Sequence, residues 1–434
     1  MKDRRLIGNL GDDIGKRVNL GCWVDGVRDL KNMQFVILRD HTGKVQAVNK
    51  KAGKPLDDLV SSLRPESVVR ISGEVVQSRA KLNGYEVIVD DVEVVSEPKE
   101  PSPIDSESGI DKRLDYRHID LRDPKKFLIF KTQTTAEQAM REFWINNGFV
   151  EIHSPKLVAG ASESGAELFQ LDYFGTVASL AQSPQFYKQM AMAAGFDRVF
   201  EIGPVFRANK SHTSRHDTEF TSVDMELSWI DSHEDVMAME ERWIEYFMTE
   251  VQRKHGEELS ERYGAQVEVP RVPFPRVTME EAYSILKSQG YEVPDDKKGD
   301  LDLEGERILG RYVKENHNHE FVLVTDYPAS VRPFYHMRSD DNPEITKSFD
   351  LIWKGTEVTT GAQREHRYDR LVNQIEEKGI DPKSLRSYTE FFKHGCPPHG
   401  GCGFGLTRML MNITGEKSVK EVTFVYRGPN RITP

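Results

Sequence analysis

Apolar and polar positions in residues 17–95 form five short strand-like runs, at 18–24, 33–38, 45–48, 68–76 and 85–95. His41-Thr42-Gly43 and Leu82-Asn83-Gly84 supply turns between them. Five strands in about 80 residues predict a small barrel, and the OB-fold is one such closure. Residues 98–111, with three prolines and several acids, read as a linker. From Pro124 the period changes. Phe127, Phe130, Met140, Phe143 and Trp144 recur at helical spacing until Gly148, and residues 149–152 then read as a strand ended by Ser154-Pro155. A second amphipathic helix is predicted near 234–254, with Val236, Met239, Trp243, Phe247 and Val251 on one side. Residues 256–318 read as an inserted, mostly helical and polar segment, and strands resume at 321–324 and 348–353.

Two stretches break this alternation. In FRANKSHTSRHDTEFTSVDME, which starts at Phe206, an apolar run ends on Arg207 and a polar loop follows with Lys210, His212, Arg215 and His216. The chain returns through Phe220, Val223, Met225 and Leu227, which read as a strand, so the stretch is a hairpin with positive charge at its mouth. In GCGFGLTR a glycine-rich turn enters an apolar run that ends on Arg408. Two arginines and a cationic loop presented from a sheet suit a bent triphosphate, because charge-assisted bonds to phosphate are strong and directional. A lone arginine is more often half of a surface ion pair.

The chain has 434 residues, 38% of them hydrophobic, enough for two or three domains with sizeable cores. No run approaches the ~20 apolar residues of a membrane helix, and MKDRRLIGNLGDD lacks a signal-peptide core, so a cytoplasmic protein with no membrane partner is expected. Three cysteines fit a reducing compartment better than a disulfide framework. A net charge of −11 argues mildly against nucleic acid, although a local basic surface matters more than the total.

The hairpin and the glycine-rich stretch resemble motifs 2 and 3 of the class II aminoacyl-tRNA synthetases, and the long helix, strand and proline after Pro124 resemble motif 1, which forms the family's dimer interface. A plainer reading of the last element is a core helix and an edge strand. Other segments are similar to the aspartyl branch (subclass b) in its short archaeal and eukaryotic form: QSPQFYKQ at Gln182, SESG at Ser162, VRPFYHM at Val331, EVTTGAQR at Glu357 and the ending YRGPNRITP. The resemblance covers nearly the whole chain. It implies an α+β protein: a five-stranded OB-fold barrel that binds the anticodon (residues 1–103), a hinge (104–123) and a class II catalytic domain on an antiparallel sheet flanked by helices (124–434).

Carried over by motif, the resemblance assigns Arg207 to the α-phosphate, Arg215 and His216 to the γ-phosphate and the tRNA acceptor end, Phe220 to stacking on adenine, and Arg408 to the nucleotide's other side. Glu357 and the Thr360 hydroxyl would bind Mg²⁺, a hard cation that favours oxygen ligands beside phosphates. Arg364 and Lys188 would hold the aspartate side-chain carboxylate, with Glu163, Ser183, Gln185, Asp224 and Thr360 around the rest of the amino acid. Asp224 and Glu226, at i and i+2, share one face of a strand and suit an ammonium group or a metal; such pairs are also common on a solvated face. Arg28, Phe35, Gln46 and Glu86 fall where family members read the anticodon, while Phe35 alone, within MQFVIL, also reads as core.

The implied activity is ATP-dependent formation of aspartyl-adenylate and transfer of aspartate to the 3′-terminal adenosine of tRNA-Asp, by a homodimer. Three rivals stand beside it: an enzyme that also charges tRNA-Asn, with Asp25 at a position that varies between the two kinds; a tRNA-independent asparagine-making paralogue, which would lack the barrel; and a catalytically dead regulator. The last is suggested by departures from the family pattern, Asn209 and Thr407 where glutamates are usual, with Cys402 between the glycines. Thr360 also stands where serine is usual. His394, Cys396, His399 and Cys402 have zinc-ligand chemistry at tight spacing; the alternative is that the prolines and glycines shape motif 3 and His399 lines the aspartate pocket.

Overall fold

In a computed structural model, residues 3–79, 82–160, 168–210 and 213–434 are described. The chain divides into two compact units, the first ending at Leu128 and the second beginning at Ile129.

In the first unit, β1 (Arg17–Asp29), β2 (Met33–Asp40), β3 (Gly43–Lys50), β4 (Val68–Gln77) and β5 (Tyr85–Ser96) pair in the order β1-β2-β3-β5-β4, and β4 returns to β1 to close the barrel. The alternating residues Leu20, Val24, Val36, Leu38, Ile71 and Val75 point inward and build its core. Closure requires close approach: a Cβ on Gly73 would lie 2.3 Å from Ile88 O. A bulge between Val24 and Gly26 bends β1, which is long enough to pair with two partners. The sequence pattern missed α1 (Pro55–Ser62), a helix too short to display a period. Phe35 lies on the outer wall, half-exposed, between the inward-facing Gln34 and Val36, which removes the core reading.

The second unit opens in α2 (Pro124–Asn146) and β6 (Val150–Glu151), and a separate three-stranded sheet follows (Leu157–Val158, Gln170–Tyr173, Thr176–Leu180). Next come α3 (Gln185–Ala193), the hairpin β7 (Arg198–Phe206) and β8 (Glu219–Ser228), and α4 (His233–Tyr263). After them are β9 (Arg276–Thr278), α5 (Met279–Ser288), α6 (Leu303–His317), β10 (Phe321–Thr325), β11 (Ser348–Trp353) and β12 (Thr356–Gln363). The chain ends through α7 (Arg386–Lys393), β13 (His399–Gly405) and α8 (Leu406–Thr414). Eight strands form one sheet in the order β9-β10-β11-β12-β13-β8-β7-β6. Its inner pairs are antiparallel and its two outer pairs parallel, so the sheet is mixed rather than purely antiparallel.

Three sequence expectations are corrected. The glycine-rich stretch is not a turn: Gly400, Gly401 and Gly403 lie inside β13, between β12 and β8. A Cβ on Gly401 would stand 2.1 Å from Met225 O and 2.2 Å from Glu226 Oε2, so the glycines make room for the side chains of the neighbouring strand. Helix α4 continues through Gly256 to Tyr263 and stops at Gly264, whose φ of 65° suits a left-handed cap. The inserted segment adds β9 to the sheet edge, and its helices share a core with the sheet through Ala282, Leu286, Leu309, Val322 and Val324. Among the described residues no helix is long and apolar enough to cross a membrane.

Candidate active site

Strand β8 has two unlike faces. Val223 and Met225 pair across from Phe404 and Cys402, and Phe404 packs edge-on against Trp243 of α4. Asp224 and Glu226 lie opposite Gly403 and Gly401 on the other face. They are buried, not solvated, because charged partners cover them. That face is the floor of a cavity of about 320 Å³.

At one end of the cavity the charges are paired. Arg364, directly after β12, donates from Nε to Glu226 Oε1 at 2.9 Å and from Nη2 to Gly401 O at 2.8 Å. Its Nη1 makes no hydrogen bond with any described residue, and Arg364 lines the cavity. Lys188 Nζ, from α3, donates to Asp224 Oδ1 at 2.9 Å and Cys402 O at 3.1 Å and stands 3.3 Å from Glu226 Oε2. Burial works against the Glu226 carboxylate, but Arg364 and Lys188 outweigh it and hold the group below its ordinary range. Burial likewise opposes the Lys188 ammonium, yet Asp224 and Glu226 raise it. His336 is buried beside these cations; desolvation first, then Arg364, keep its imidazole neutral.

The other end carries the cationic hairpin. Arg207 lies over the Phe220 ring, 5.4 Å from its centroid. Arg408, on α8, donates to Glu357 O at 2.8 Å and stands 3.4 Å from Glu357 Oε1. Burial, then Arg408 and Arg207, lower the His216 imidazole, whose Nδ1 pairs with Thr213. Arg215 departs from a phosphate-contacting pose. Its guanidinium is turned into the protein, bonded to Glu306 Oε2 at 2.8 Å and Gly355 O at 3.1 Å. Glu306 also accepts from Glu357 N at 2.8 Å; burial and the nearby Glu357 push its carboxyl up to about 7. Arg215 thus clamps the inserted segment to β12.

Ser183, Gln185 and Thr360 line the same cavity, as do Asn209 and Thr407. Glu163, with its loop 162–165, and His212 lie outside the described residues. In the barrel, Arg28 stands opposite Phe35, and Gln46 donates to Glu86 Oε2 at 3.0 Å. Asp25 is held between Arg39 and Lys44, each at 2.7 Å.

The His394–Cys402 segment is not assembled as a metal site. Both His399 nitrogens have protein partners, Cys402 is in β13, and among the described residues no group of three or more His, Cys, Asp or Glu converges on a metal position. For a magnesium ion beside phosphates the donors present do fit. Thr360 Oγ1 and Glu357 Oε1 approach to 3.3 Å, and Asp350, paired with Thr360 in the sheet, keeps Oδ1 buried and without a hydrogen bond from any described residue while Oδ2 accepts from Arg332 at 2.6 Å. Asp350, Asp217, Arg332 and His336 went unassigned in the sequence. Arg332 and His336 sit in the singled-out VRPFYHM segment and Asp217 in the hairpin stretch, whereas no local signal marked Asp350. Burial pushes the Asp217 carboxyl up to about 7.

Residues 109–426 match the model of the class II tRNA synthetases (D, K and N), and residues 18–95 match that of the OB-fold nucleic acid binding domain. The chain is 43% identical to an aspartate–tRNA(Asp/Asn) ligase of Aeropyrum pernix over 100% of both chains. It is also 43% identical to an aspartate–tRNA(Asp) ligase of Pyrococcus horikoshii over 97% of each. The crystal structure of the asparaginyl-tRNA synthetase from Pyrococcus horikoshii with asparaginyl-adenylate superposes with a TM-score of 0.92 at 32% identity, covering 100% of both chains. With barrel, sheet and cavity thus matched end to end, the chain belongs to the class II tRNA synthetases of the D, K and N group and carries their OB-fold domain.

Proposed function

We propose that the protein activates aspartate with ATP and transfers it to tRNA-Asp. The observation that carries this reading is Arg364: Glu226 holds the guanidinium in place and Nη1 is left open to the cavity. A guanidinium can only donate. A side-chain carboxylate satisfies it, whereas the NH₂ of asparagine turned toward it would stay unpaired, a mismatch that can discriminate by ~10⁴-fold. Lys188 joins that grip with the donor that Asp224 and Cys402 O leave over. Asp224 and Gln185 offer oxygens to the substrate ammonium.

In the first step an oxygen of the α-carboxylate bonds to the α-phosphorus while the bond to the bridging oxygen breaks, giving aspartyl-adenylate and pyrophosphate. The nucleophile is already an anion, so the site's work is alignment and charge neutralisation. Arg207 and Arg408 bring charge to the α-phosphate and the nucleotide, Phe220 stacks on the base, and His216 stands toward the terminal phosphates. Glu357 and Thr360, with Asp350 near, would hold Mg²⁺, which supplies further charge neutralisation at the phosphates. In the second step a hydroxyl of the tRNA's terminal adenosine attacks the carbonyl carbon and AMP leaves. Arg28, Phe35, Gln46 and Glu86 form the anticodon surface in this reading, with domains at 1–103 and 124–434. A homodimer belongs to it too: Ile145 and Val150, in the elements resembling the family's dimer motif, are 60% and 49% exposed.

One observation favours a second reading, in which tRNA-Asn is also charged. The relative named for both tRNAs matches at the same 43% identity as one named for tRNA-Asp alone. Aspartate charging of purified tRNA-Asp and tRNA-Asn transcripts, side by side, tests both. Charging of tRNA-Asp only supports a discriminating enzyme, comparable charging a dual one, and charging of neither removes the proposal.

A further inference from the structure

Behind the amino-acid end of the cavity runs a line of buried hydrogen bonds that ends on Gln185 and whose other members the steps above leave unused. His399 Nδ1 lies 2.9 Å from Pro397 O, and its Nε2 3.0 Å from Gln189 Nε2. Gln189 Oε1 accepts from the Tyr388 hydroxyl at 2.9 Å and from Gln185 Nε2 at 2.8 Å. All four side chains are buried.

The polarity of this line is set from one end. A backbone carbonyl only accepts, so Nδ1 of His399 carries the proton; the Cys396 thiol, at 3.6 Å, is a longer and weaker partner. Burial pushes the imidazole down to about 4, so the ring is neutral and Nε2 accepts. Gln189 must therefore turn its NH₂ to the ring and its oxygen to Tyr388 and Gln185. Gln185 in turn gives its NH₂ to Gln189. Its own oxygen receives no hydrogen bond from any described residue, and Gln185 lines the cavity.

We infer that His399 and Gln189 are positioning residues: they lock the Gln185 amide with its carbonyl oxygen toward the cavity, where it accepts a hydrogen bond from the substrate ammonium. The inference rests on the proposed reading of the cavity as an amino-acid site. Without the lock the amide is free to present NH₂ to a cation, which is repulsive, and a hydrogen bond to a charged group is lost, about tenfold or more in affinity.

The test compares equilibrium binding of aspartate with that of succinate, which has both carboxylates and no ammonium. Gln189→Met should weaken aspartate about tenfold and leave succinate within about twofold. Tyr388→Phe, which removes a side branch of the line, should leave both within about twofold. Equal weakening of the two ligands by Gln189→Met, or no weakening, overturns the inference. A long-range ¹H–¹⁵N spectrum of histidine-labelled wild-type protein tests it without a substitution: a proton on His399 Nδ1 is expected, and a proton on Nε2 overturns it. Wild-type protein that binds neither ligand removes the amino-acid reading itself. Wild-type protein that binds aspartate, beside a Gln189→Met variant that is unaffected, removes only the lock.

Discussion

Glu226 and Arg364 meet as a buried fork on the floor of the cavity, Nε to Oε1 at 2.9 Å and Nη2 to Oε2 at 3.3 Å. The fork fixes the guanidinium plane and leaves one edge to the cavity, so a carboxylate on β8 decides where a cation after β12 can point. Glu226→Gln keeps the shape and removes the charge, leaving Lys188 and Arg364 facing each other with only Asp224 between them. Breaking a buried pair in this way costs about 3–5 kcal/mol. Denaturant unfolding should show a loss of that order, together with a fall of at least 100-fold in aspartate activation. Unchanged stability would mean the pair is not buried as described.

The same pair sets a pH dependence. The folded Glu226 carboxyl lies below its ordinary value of 4.5. Its stabilisation is therefore complete above that value and lost as pH falls through the lower folded one. The stability gap between wild type and Glu226→Gln should be constant from pH 5 upward and should shrink below pH 4.5; a gap that widens on acidification contradicts the assignment.

Glu240 of α4 behaves in the opposite sense. Desolvation pushes its carboxyl up to about 8, and both of its oxygens are buried with no hydrogen-bond partner among the described residues. A carboxyl whose folded value is raised costs stability as pH climbs from the unfolded value toward the folded one. Glu240→Gln should be more stable than wild type at pH 8, by on the order of 4 kcal/mol, and the advantage should vanish near pH 4.5. Glu240 is not among the residues that line the cavity, so aspartate activation per folded molecule should hold.

Gly401→Ala tests the glycine-rich strand. The added carbon would meet Met225 O at 2.1 Å and Glu226 Oε2 at 2.2 Å, so β8 and β13 must part or Glu226 must move. The variant should fail to activate aspartate and unfold well below wild type. Gly395→Ala, where no atom of a described residue lies within 4 Å of the added carbon, is the contrast: its φ of 91° confines the penalty to backbone strain, about 1 kcal/mol. Similar behaviour of the two variants would contradict the close-approach argument.

Arg207 and Phe220 should separate the substrates. Phe220→Leu keeps an apolar side chain but loses the stacking face and the contact with Arg207. KM for ATP should rise about tenfold, in line with stacking energies of 1–3 kcal/mol, while aspartate binding stays within twofold. Arg207→Ala should abolish adenylate formation. A Phe220→Leu enzyme with altered aspartate affinity and normal ATP affinity would reverse the two ends of the cavity.

Much of this organisation is legible in the residues. The barrel strands announce themselves because one wall is buried and the other is not, and the hairpin because charge is concentrated at its mouth. What was missed depends on non-local geometry. The glycines of β13 read as a turn because only the neighbouring strand shows why a Cβ would not fit. Asp224 and Glu226 read both as an ammonium or metal site and as a solvated face, and only Lys188 and Arg364, 36 and 138 residues away in sequence, decide against the latter by covering them. Arg215 looks like a phosphate ligand until Glu306 is seen beside it. Asp350 carries no local motif, and only the sheet pairing sets it beside Thr360, which lines the cavity.

The most direct test of the central claim is ATP–pyrophosphate exchange driven by aspartate and by asparagine at equal concentration, with wild type and Arg364→Ala. The account expects exchange with aspartate, little with asparagine, and none with Arg364→Ala. Equal exchange with asparagine, or an Arg364→Ala enzyme near the wild-type rate, would contradict it.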